Sequence, residues 1–219
     1  MAVILCLETA TTNCSVVLSV DGEVKAFREV NNKKFSHAEK LHVFIEEVLL
    51  EAKLDRKQID AIAISKGPGS YTGLRIGVSA AKGLCFALEI PLISTLTLEV
   101  LAQQVDSSDA YIIPLIDARR MEVYSAVFDK DKTQLRETKA EVLTENSFSE
   151  YLDQNKTFFL GDGAAKFKAI CNHENANFLI DKFPSALDMV LLAEAKFNTN
   201  DFEDVAYFEP FYLKEFMSG

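Results

Sequence analysis

A glycine-rich turn between a predicted strand and a predicted helix constrains the fold of this chain more than any other segment. Residues 61–84 read AIAISKGPGSYTGLRIGVSAAKGL and contain five of the nine glycines. Glycine in such a turn permits a positive φ and lets a ligand or another backbone approach closely. The segment therefore predicts an α/β protein. The turn either binds an anion at the start of the helix or packs that helix tightly onto the sheet.

The spacing of this turn does not match two common nucleotide motifs. A P-loop requires Gly-Lys-Ser/Thr after the turn, and none occurs here. The spacing Gly67-x-Gly69-x-x-x-Gly73 has one residue more than the dinucleotide-binding fingerprint. Pro68 stiffens the turn, and Ser70 or Thr72 can cap the helix. We interpret the loop formed by Gly67, Pro68, Gly69 and Gly73 as structural and leave anion binding open.

The charge balance argues against a protein that binds nucleic acid directly. The chain has 23 basic and 33 acidic side chains and a net charge of -10, whereas nucleic-acid-binding domains normally carry a basic surface. No apolar run reaches the ~18 residues of a membrane-spanning helix. The amino-terminal MAVILCLETATTN has neither a basic region nor a small-residue cleavage site. We therefore predict a cytoplasmic protein that makes no membrane contact and meets RNA only indirectly.

The cysteine pattern predicts reduced thiols. The four cysteines lack C-x-x-C spacing and lie in apolar surroundings, which favours buried thiols over zinc ligands or disulfides. They are Cys6, Cys14, Cys85 and Cys171.

Hydrophobic periodicity predicts that the first half of the chain forms one α/β lobe. Asp21-Gly22 predicts a tight turn between the second and third strands. Ser36 and Glu39 match a capping box at the start of the first helix. The polar sequence DSSD follows Val105 and predicts a domain boundary there. The predicted strands are 2–8, 14–20, 24–30, 59–65 and 91–94, and the predicted helices are 36–53, 71–88 and 96–104.

The second half, residues 106–219, begins again with strands and predicts a smaller α/β lobe. Each half has three strands first and α/β units afterwards, which indicates two related lobes. The aromatic tail YFEPFYLKEF is too apolar to lie free in water. The predicted strands are 110–118, 120–129, 135–143 and 157–162, and the predicted helices are 147–154, 164–171 and 185–197.

Three segments resemble the TsaB family, also called YeaZ-type proteins. They are ILCLETATTNCSVVL, SKGPGSYTGLRIGVSAAKGLCFALEIPLIS and PLIDARRMEVYSAVF, within residues 1–130, and the tail PFYLKEF matches more loosely. The resemblance implies the actin/Hsp70/sugar-kinase-like (ASKHA) fold, with two lobes of mixed sheets flanked by helices. It also implies a non-catalytic partner of the catalytic paralogue TsaD. With the ATPase TsaE, TsaD makes threonylcarbamoyladenosine beside the tRNA anticodon.

The resemblance further implies that the metal ligands of the catalytic paralogue are missing. In TsaD the helix after the strand resembling IPLIS carries H-x-x-x-H, and those positions fall on Thr97 and Leu101. Leucine has no donor atom, and a lone threonine hydroxyl is a poor transition-metal ligand. We therefore expect no metal and no catalytic residue. A metallopeptidase, a label once attached to relatives of this family, is the weakest alternative.

A nucleotide-binding ATPase or kinase of the same fold is the main alternative function. The first phosphate loop of this fold usually carries Asp-x-Ser/Thr, and Glu8 in that place is one methylene longer, which argues against hydrolysis. The Gly161–Gly163 turn falls where such folds hold adenosine, or is only a turn capped by Asp162. No cofactor is expected to be required, although ATP or ADP can bind in the assembled complex. The weak nucleotide-binding candidates are Glu8, Thr9, Thr11, Thr12, Thr72, Gly161, Asp162 and Gly163.

The two long helices of the first lobe carry more apolar surface than one sheet face needs, which predicts a protein interface. The alternative is that both helices simply pack on their own sheet. The resemblance implies that this helix pair forms a bundle with TsaD, or with a second copy as a homodimer when TsaD is absent. The predicted interface residues are Phe44, Val48, Leu49, Gly77, Ala80, Ala81 and Leu84.

One smaller group of polar residues has two open interpretations, and one histidine has a single one. The sequence DARRMEVY places Asp117, Arg119, Arg120 and Glu122 at a strand turn. This group either binds a phosphate or a partner carboxylate through arginine, or forms a surface ion-pair cluster. His37, at the start of the first helix, is predicted to be solvated.

Overall fold

A computed structural model describes residues 1–31 and 37–214 of the chain. The chain divides into two units. The first comprises Met1–Val100 with Pro184–Tyr212, and the second comprises Leu101–Phe183 with Leu213 and Lys214. The structure therefore differs from the predicted single boundary near residue 105.

The first unit is built on a five-stranded mixed sheet. Its strands are β1 (Val3–Glu8), β2 (Cys14–Val20), β3 (Glu23–Val30), β4 (Ala61–Ser65) and β5 (Leu92–Thr95), in the order β3-β2-β1-β4-β5. β1 pairs antiparallel with β2 and parallel with β4, so it lies at the centre of the sheet. Every residue of β1 is buried, because successive side chains point to opposite faces and both faces are covered.

One face of this sheet is covered by two helices, α1 (His37–Ala52) and α2 (Tyr71–Leu88). Leu5 and Leu7 of β1 pack in one core cluster with Leu41 and Ile45 of α1 and with Val78 of α2. A one-turn 3-10 helix (Arg56–Gln58) separates α1 from β4, and α3 (Thr97–Ala102) follows β5. The capping box predicted for α1 depends on Ser36, which lies outside the described residues.

The second unit repeats the strand order of the first. Its strands are β6 (Tyr111–Asp117), β7 (Glu122–Phe128), β8 (Gln134–Val142), β9 (Thr157–Leu160) and β10 (Ala176–Leu179), in the order β10-β9-β6-β7-β8. The central β6 pairs antiparallel with β7 and parallel with β9. The helices α4 (Ser149–Leu152) and α5 (Ala164–Lys168) complete the unit. The predicted relation between the two halves is confirmed, although the sequence did not predict β10.

Helix α6 (Ala186–Asn198) returns to the first unit. Met189 and Val190 of α6 pack in one cluster with Ile4 and Cys6, which project from the other face of β1. The prediction that residues 106–219 form one lobe is therefore wrong, because α6 packs on the sheet of the first unit. The far face of the first sheet is apolar, and a helix from the carboxyl-terminal part of the chain covers it.

All four cysteines are free and buried, as predicted. Burial raises the pKa of the Cys6 thiol to about 12, so this sulfur remains protonated and unreactive at neutral pH.

Candidate functional site

The glycine-rich turn lies directly against the loop that follows β1. A β carbon on Gly69 would lie 2.3 Å from the carbonyl oxygen of Ala10, and one on Gly73 would lie 2.1 Å from the carbonyl oxygen of Thr9. Both distances are shorter than any ordinary contact between non-bonded atoms. The backbone of the β1–β2 loop therefore occupies the space that these two glycines leave.

Backbone amides at the start of α2 are bonded to groups of the same chain. The Ser70 N–H donates to the Ala10 carbonyl at 2.6 Å, and the Gly73 N–H donates to the Ser70 hydroxyl at 3.3 Å. An anion at this helix start would compete with both bonds. The same loop is held from its other end, because the Gly67 carbonyl accepts the Thr97 N–H at 2.9 Å. This arrangement favours the structural interpretation of Gly67, Pro68, Gly69 and Gly73.

Glu8 ends β1 with a fully buried carboxyl group. Its Oε1 accepts a 2.5 Å hydrogen bond from the Ala10 N–H. Burial raises the pKa of Glu8 to about 7, although the Ala10 amide and the Ser65 hydroxyl oppose the shift. Ser65 in turn shares a 2.7 Å hydrogen bond with the hydroxyl of Thr97. Neutral hydrogen-bonding groups thus surround a carboxyl that gains or loses its proton near neutral pH.

The other nucleotide-binding candidates of the β1–β2 loop make hydrogen bonds within the first unit. The Thr11 hydroxyl accepts from the Asn13 N–H at 3.3 Å, and the Thr12 hydroxyl donates to the Asn31 side chain at 3.0 Å. Thr72 on α2 is exposed.

His37 is buried, so its predicted solvation is wrong. Its Nε2 lies 2.8 Å from the Thr11 carbonyl oxygen, because the β1–β2 loop packs against the start of α1. Burial lowers the pKa of this imidazole.

The Gly161–Gly163 turn belongs to the second unit and lies against β6. A β carbon on Gly161 would lie 2.2 Å from the carbonyl oxygen of Leu115, and the Gly163 N–H donates to the same carbonyl at 3.0 Å. Asp162 does not cap α5 as predicted, because its carboxylate accepts the Asp117 N–H at 2.8 Å instead. Burial raises the pKa of Asp162. These glycines therefore let the turn approach its own sheet.

Comparison with known proteins identifies the family to which this arrangement belongs. A protein-family model described as "TsaD: tRNA N6-adenosine threonylcarbamoyltransferase" matches residues 32–215. The tRNA threonylcarbamoyladenosine biosynthesis protein TsaB of Haemophilus influenzae is 30% identical over 96% of this chain and 93% of that protein. This chain belongs to the TsaB family.

A second TsaB relative and a solved structure agree with this assignment. The TsaB protein of Escherichia coli is 32% identical over 96% of this chain and 94% of that protein. A crystal structure from Pseudomonas aeruginosa, titled as an uncharacterized protein with similarity to peptidase YEAZ, has a TM-score of 0.84 at 26% identity. That alignment covers 98% of this chain and 100% of the other. The two repeated sheets confirm the ASKHA fold that the TsaB resemblance implied.

The two residues that the resemblance places at the metal-ligand positions of the catalytic paralogue lie in a buried part of this chain. Thr97 and Leu101 are both fully buried on α3, and neither supplies a nitrogen or carboxylate ligand. Within residues 1–31 and 37–214, no group of three His, Cys, Asp or Glu side chains is placed to hold a metal ion. Among the helices in these ranges, none combines the length and the apolarity needed to cross a bilayer.

The predicted interface on α1 and α2 needs correction. It is wrong for Val48, Leu49, Gly77 and Ala81, because all four are buried where these helices pack on their own sheet. The three others are half-buried and contact the same core: Phe44, Ala80 and Leu84.

Other apolar side chains of the two helices are exposed. Val43 and Leu50 on α1 are 47% and 81% exposed, and Phe86 on α2 is 83% exposed. The sequence held a signal for the α1 pair, since residues seven apart lie on one helix face. That signal was missed because the more regular stripe of buried residues, on the opposite side of α1, contains most of its apolar side chains.

Proposed function

We propose that this chain is a non-catalytic subunit in the cytoplasmic biosynthesis of threonylcarbamoyladenosine in tRNA. It binds a TsaD-like threonylcarbamoyltransferase, and a TsaE-like ATPase joins the same assembly. The chain meets tRNA only through these partners. The observation that carries the proposal is the exposure of Leu50 and Phe86 on neighbouring helices of a TsaB-family protein.

An exposed leucine and an exposed phenylalanine on one helix pair favour a protein partner. Burial of each side chain would stabilise a complex by about 1.5–3 kcal/mol. Val43, one helical repeat before Leu50, extends the apolar face. We call the surface formed by Val43, Leu50 and Phe86 the α1–α2 face. Large apolar side chains at the centre of an interface typically contribute most of its binding energy.

The exposed side of α2 also suits close approach by another helix. Ser79, Gly83 and Ala87 are exposed and four residues apart, so they follow one face of the helix. A β carbon on Gly83 would meet no atom within 4 Å. Small residues beside Phe86 would let a partner helix pack against the α2 backbone, with the phenylalanine ring at the side.

Two features of the chain support a subunit without its own chemistry. Thr97 and Leu101 occupy the paralogue's ligand positions with side chains that bind metal poorly or not at all. The Ser70 N–H is bonded to the Ala10 carbonyl, which leaves the α2 start less suited to a nucleotide phosphate. We therefore expect no required cofactor, and ATP or ADP binding only in the assembled complex.

Light scattering on a size-exclusion column tests the proposal. The purified chain alone is expected to run as a homodimer at micromolar concentration. When mixed with the TsaD homologue of the same organism, it should exchange into a one-to-one complex. A chain that stays monomeric and forms no such complex would contradict the proposal. So would rapid ATP hydrolysis, or modification of tRNA, by this chain alone.

A further inference from the structure

Two consecutive arginines at the tip of the β6–β7 hairpin have a backbone conformation that arginine rarely adopts. The φ angles are 70° at Arg119 and 50° at Arg120, both in the left-handed region. This conformation costs an ordinary L-residue about 1–2 kcal/mol, and asparagine or glycine normally occupies such positions. Below the tip, the Ala118 N–H donates to the Glu122 carbonyl at 3.1 Å. Strain maintained at two exposed residues is a reason to look for function there.

The acidic side chains beside the tip are paired with lysines from other elements. The Asp117 carboxylate accepts from Lys166 Nζ at 2.8 Å. The Glu122 carboxylate is paired with Lys214 Nζ. In the part of the chain that the structure describes, no carboxylate lies within 4.0 Å of either arginine's guanidinium group. The ion-pair cluster predicted among Asp117, Arg119, Arg120 and Glu122 is therefore wrong for the arginines, because lysines from other elements pair with both carboxylates. Among the described residues, both arginines lack a carboxylate partner.

Exposed apolar side chains lie beside the two arginines. Met121, the next residue, is 39% exposed, and Val142 on β8 is 64% exposed. Val142 is the register partner of Glu122 across the β7–β8 pair, and the Leu143 N–H donates to the Met121 carbonyl at 2.7 Å. The sheet therefore places Val142 opposite Glu122, two residues along the chain from Arg120. We call the surface formed by Arg119, Arg120, Met121 and Val142 the hairpin tip.

We propose that the hairpin tip binds a carboxylate-bearing segment of a partner protein. Each guanidinium group offers a planar fork that matches a carboxylate in a bidentate pair. Met121 and Val142 would contact apolar side chains of the same segment, and arginine and methionine are both enriched in protein interfaces. RNA would supply anions as well, but a chain with a net charge of -10 repels a long polyanion more strongly than a short acidic segment. A phosphate backbone also offers no apolar group to Met121 and Val142. The proposal needs neither the α1–α2 face nor a role in tRNA modification.

The test is calorimetric titration of the full chain at low ionic strength, where exposed charges are least screened. The probes are the blocked peptide Glu-Leu-Glu-Glu-Leu-Glu, its glutamine counterpart, and a single-stranded oligouridylate. The informative variant is Arg119→Asn combined with Arg120→Gly, because both new residues suit left-handed positions. A control variant, Lys25→Asn with Lys53→Gly, removes two exposed cations from the first unit, one of them also at a left-handed position.

The expected result is that the chain binds the acidic peptide about tenfold more tightly than the glutamine peptide. The arginine variant should lose about tenfold in affinity while its melting temperature rises by about 2–4 °C, because strain is relieved. The control variant should bind as the wild type does. Loss of binding together with a gain in stability is a result that a merely structural role for the arginines would not give.

Three results would overturn the proposal. The first is equal peptide binding by the arginine variant and the wild type, or no binding by either. The second is tighter binding of the oligouridylate than of the acidic peptide. The third is peptide binding that appears only in a chain shortened to end at Lys214, since Glu215 would then be the ligand of the arginines.

Discussion

The hydroxyl of Thr9 donates a 2.9 Å hydrogen bond to the carbonyl oxygen of Gly73. The carbonyl oxygen of Thr9 lies only 2.1 Å from the position that a β carbon on Gly73 would take. One threonine of the β1–β2 loop therefore contacts one glycine of α2 both through its side chain and through its backbone. The glycine pattern that resembles a phosphate loop joins two segments of the first unit, 64 residues apart in sequence.

Substitution of Gly73 is expected to destabilise the first unit. Gly73→Ala places a methyl group against the Thr9 carbonyl oxygen, and crowding of a packed site typically costs about 1–3 kcal/mol. Gly83→Ala on the same helix is the matched control, because its methyl group meets no atom within 4 Å. At concentrations too low for the chain to associate, it should stabilise the protein by about 0.5–1 kcal/mol. Urea denaturation measures both, and equal effects of the two changes would contradict the packing role of Gly73.

The sequence predicts the element order and the repeated sheets well, because apolar residues recur with clear periods along β1, α1 and α2. It cannot tell whether Gly69 and Gly73 face a ligand or a backbone. Both uses need the same residue type at the same spacing, and only the distant Thr9–Ala10 segment distinguishes them. The position of α6 was missed for a similar reason. Periodicity shows that a helix has an apolar face and does not show which sheet that face covers.

The stability of the protein is expected to fall as the pH rises towards 7, through the ionisation of Glu8. The folded-state pKa of Glu8, about 7, lies above the ordinary glutamate value of 4.5. Between these two values the folded state binds the proton more strongly than the unfolded state. The stabilisation is therefore complete below pH 4.5 and is lost as the pH rises through 7. Over 2.5 pH units this amounts to about 3 kcal/mol.

Glu8→Gln isolates this contribution, since glutamine imitates the protonated carboxyl at every pH. The variant and the wild type should be about equally stable near pH 4.5, and the variant should be the more stable above pH 7. Glu39→Gln, at an exposed position on α1, is the control for the loss of one carboxylate outside the core. The measurement is urea denaturation at several pH values from 4.5 to 8. Parallel profiles for wild type and Glu8→Gln would show that Glu8 titrates normally.

Charged substitutions on the α1–α2 face should weaken association without unfolding the protein. Leu50→Glu and Phe86→Glu change exposed side chains, and each is expected to weaken the homodimer and the complex with a TsaD homologue by about tenfold or more. Val48→Glu is the contrasting change. It buries a charge in the core of the first unit and should unfold the protein. Sedimentation velocity measures association, and circular dichroism measures folding.

If both exposed variants still form the dimer, the partner surface must lie outside the α1–α2 face. The half-buried residues Phe44, Ala80 and Leu84 cannot decide this question. They contact the core as well, so their substitution would change stability and association together. The sequence separates Leu50 from these residues only through helical periodicity, because apolarity alone does not distinguish core from interface.

The carboxyl-terminal segment 204–212 should loosen when Lys82 loses its charge. Lys82 Nζ donates to the carbonyls of Ala206 at 3.2 Å and Phe208 at 2.8 Å, and so holds this segment against α2. Lys82→Met keeps much of the side-chain volume but removes the donors, at a cost of about 1–3 kcal/mol. Lys82→Arg is the control, because it retains N–H donors at a similar reach.

Hydrogen exchange measured residue by residue provides the test. The Phe211 N–H donates to the Lys66 carbonyl at 2.7 Å, so its exchange rate reports whether the segment stays in place. Lys82→Met is expected to speed exchange at Phe211 and Phe208 by about tenfold, while amides of β1 remain protected. Uniformly faster exchange would mean that Lys82 stabilises the whole unit. No change at Phe211 would mean that the side chain of Phe208, which is buried in the core cluster, is sufficient to hold the segment.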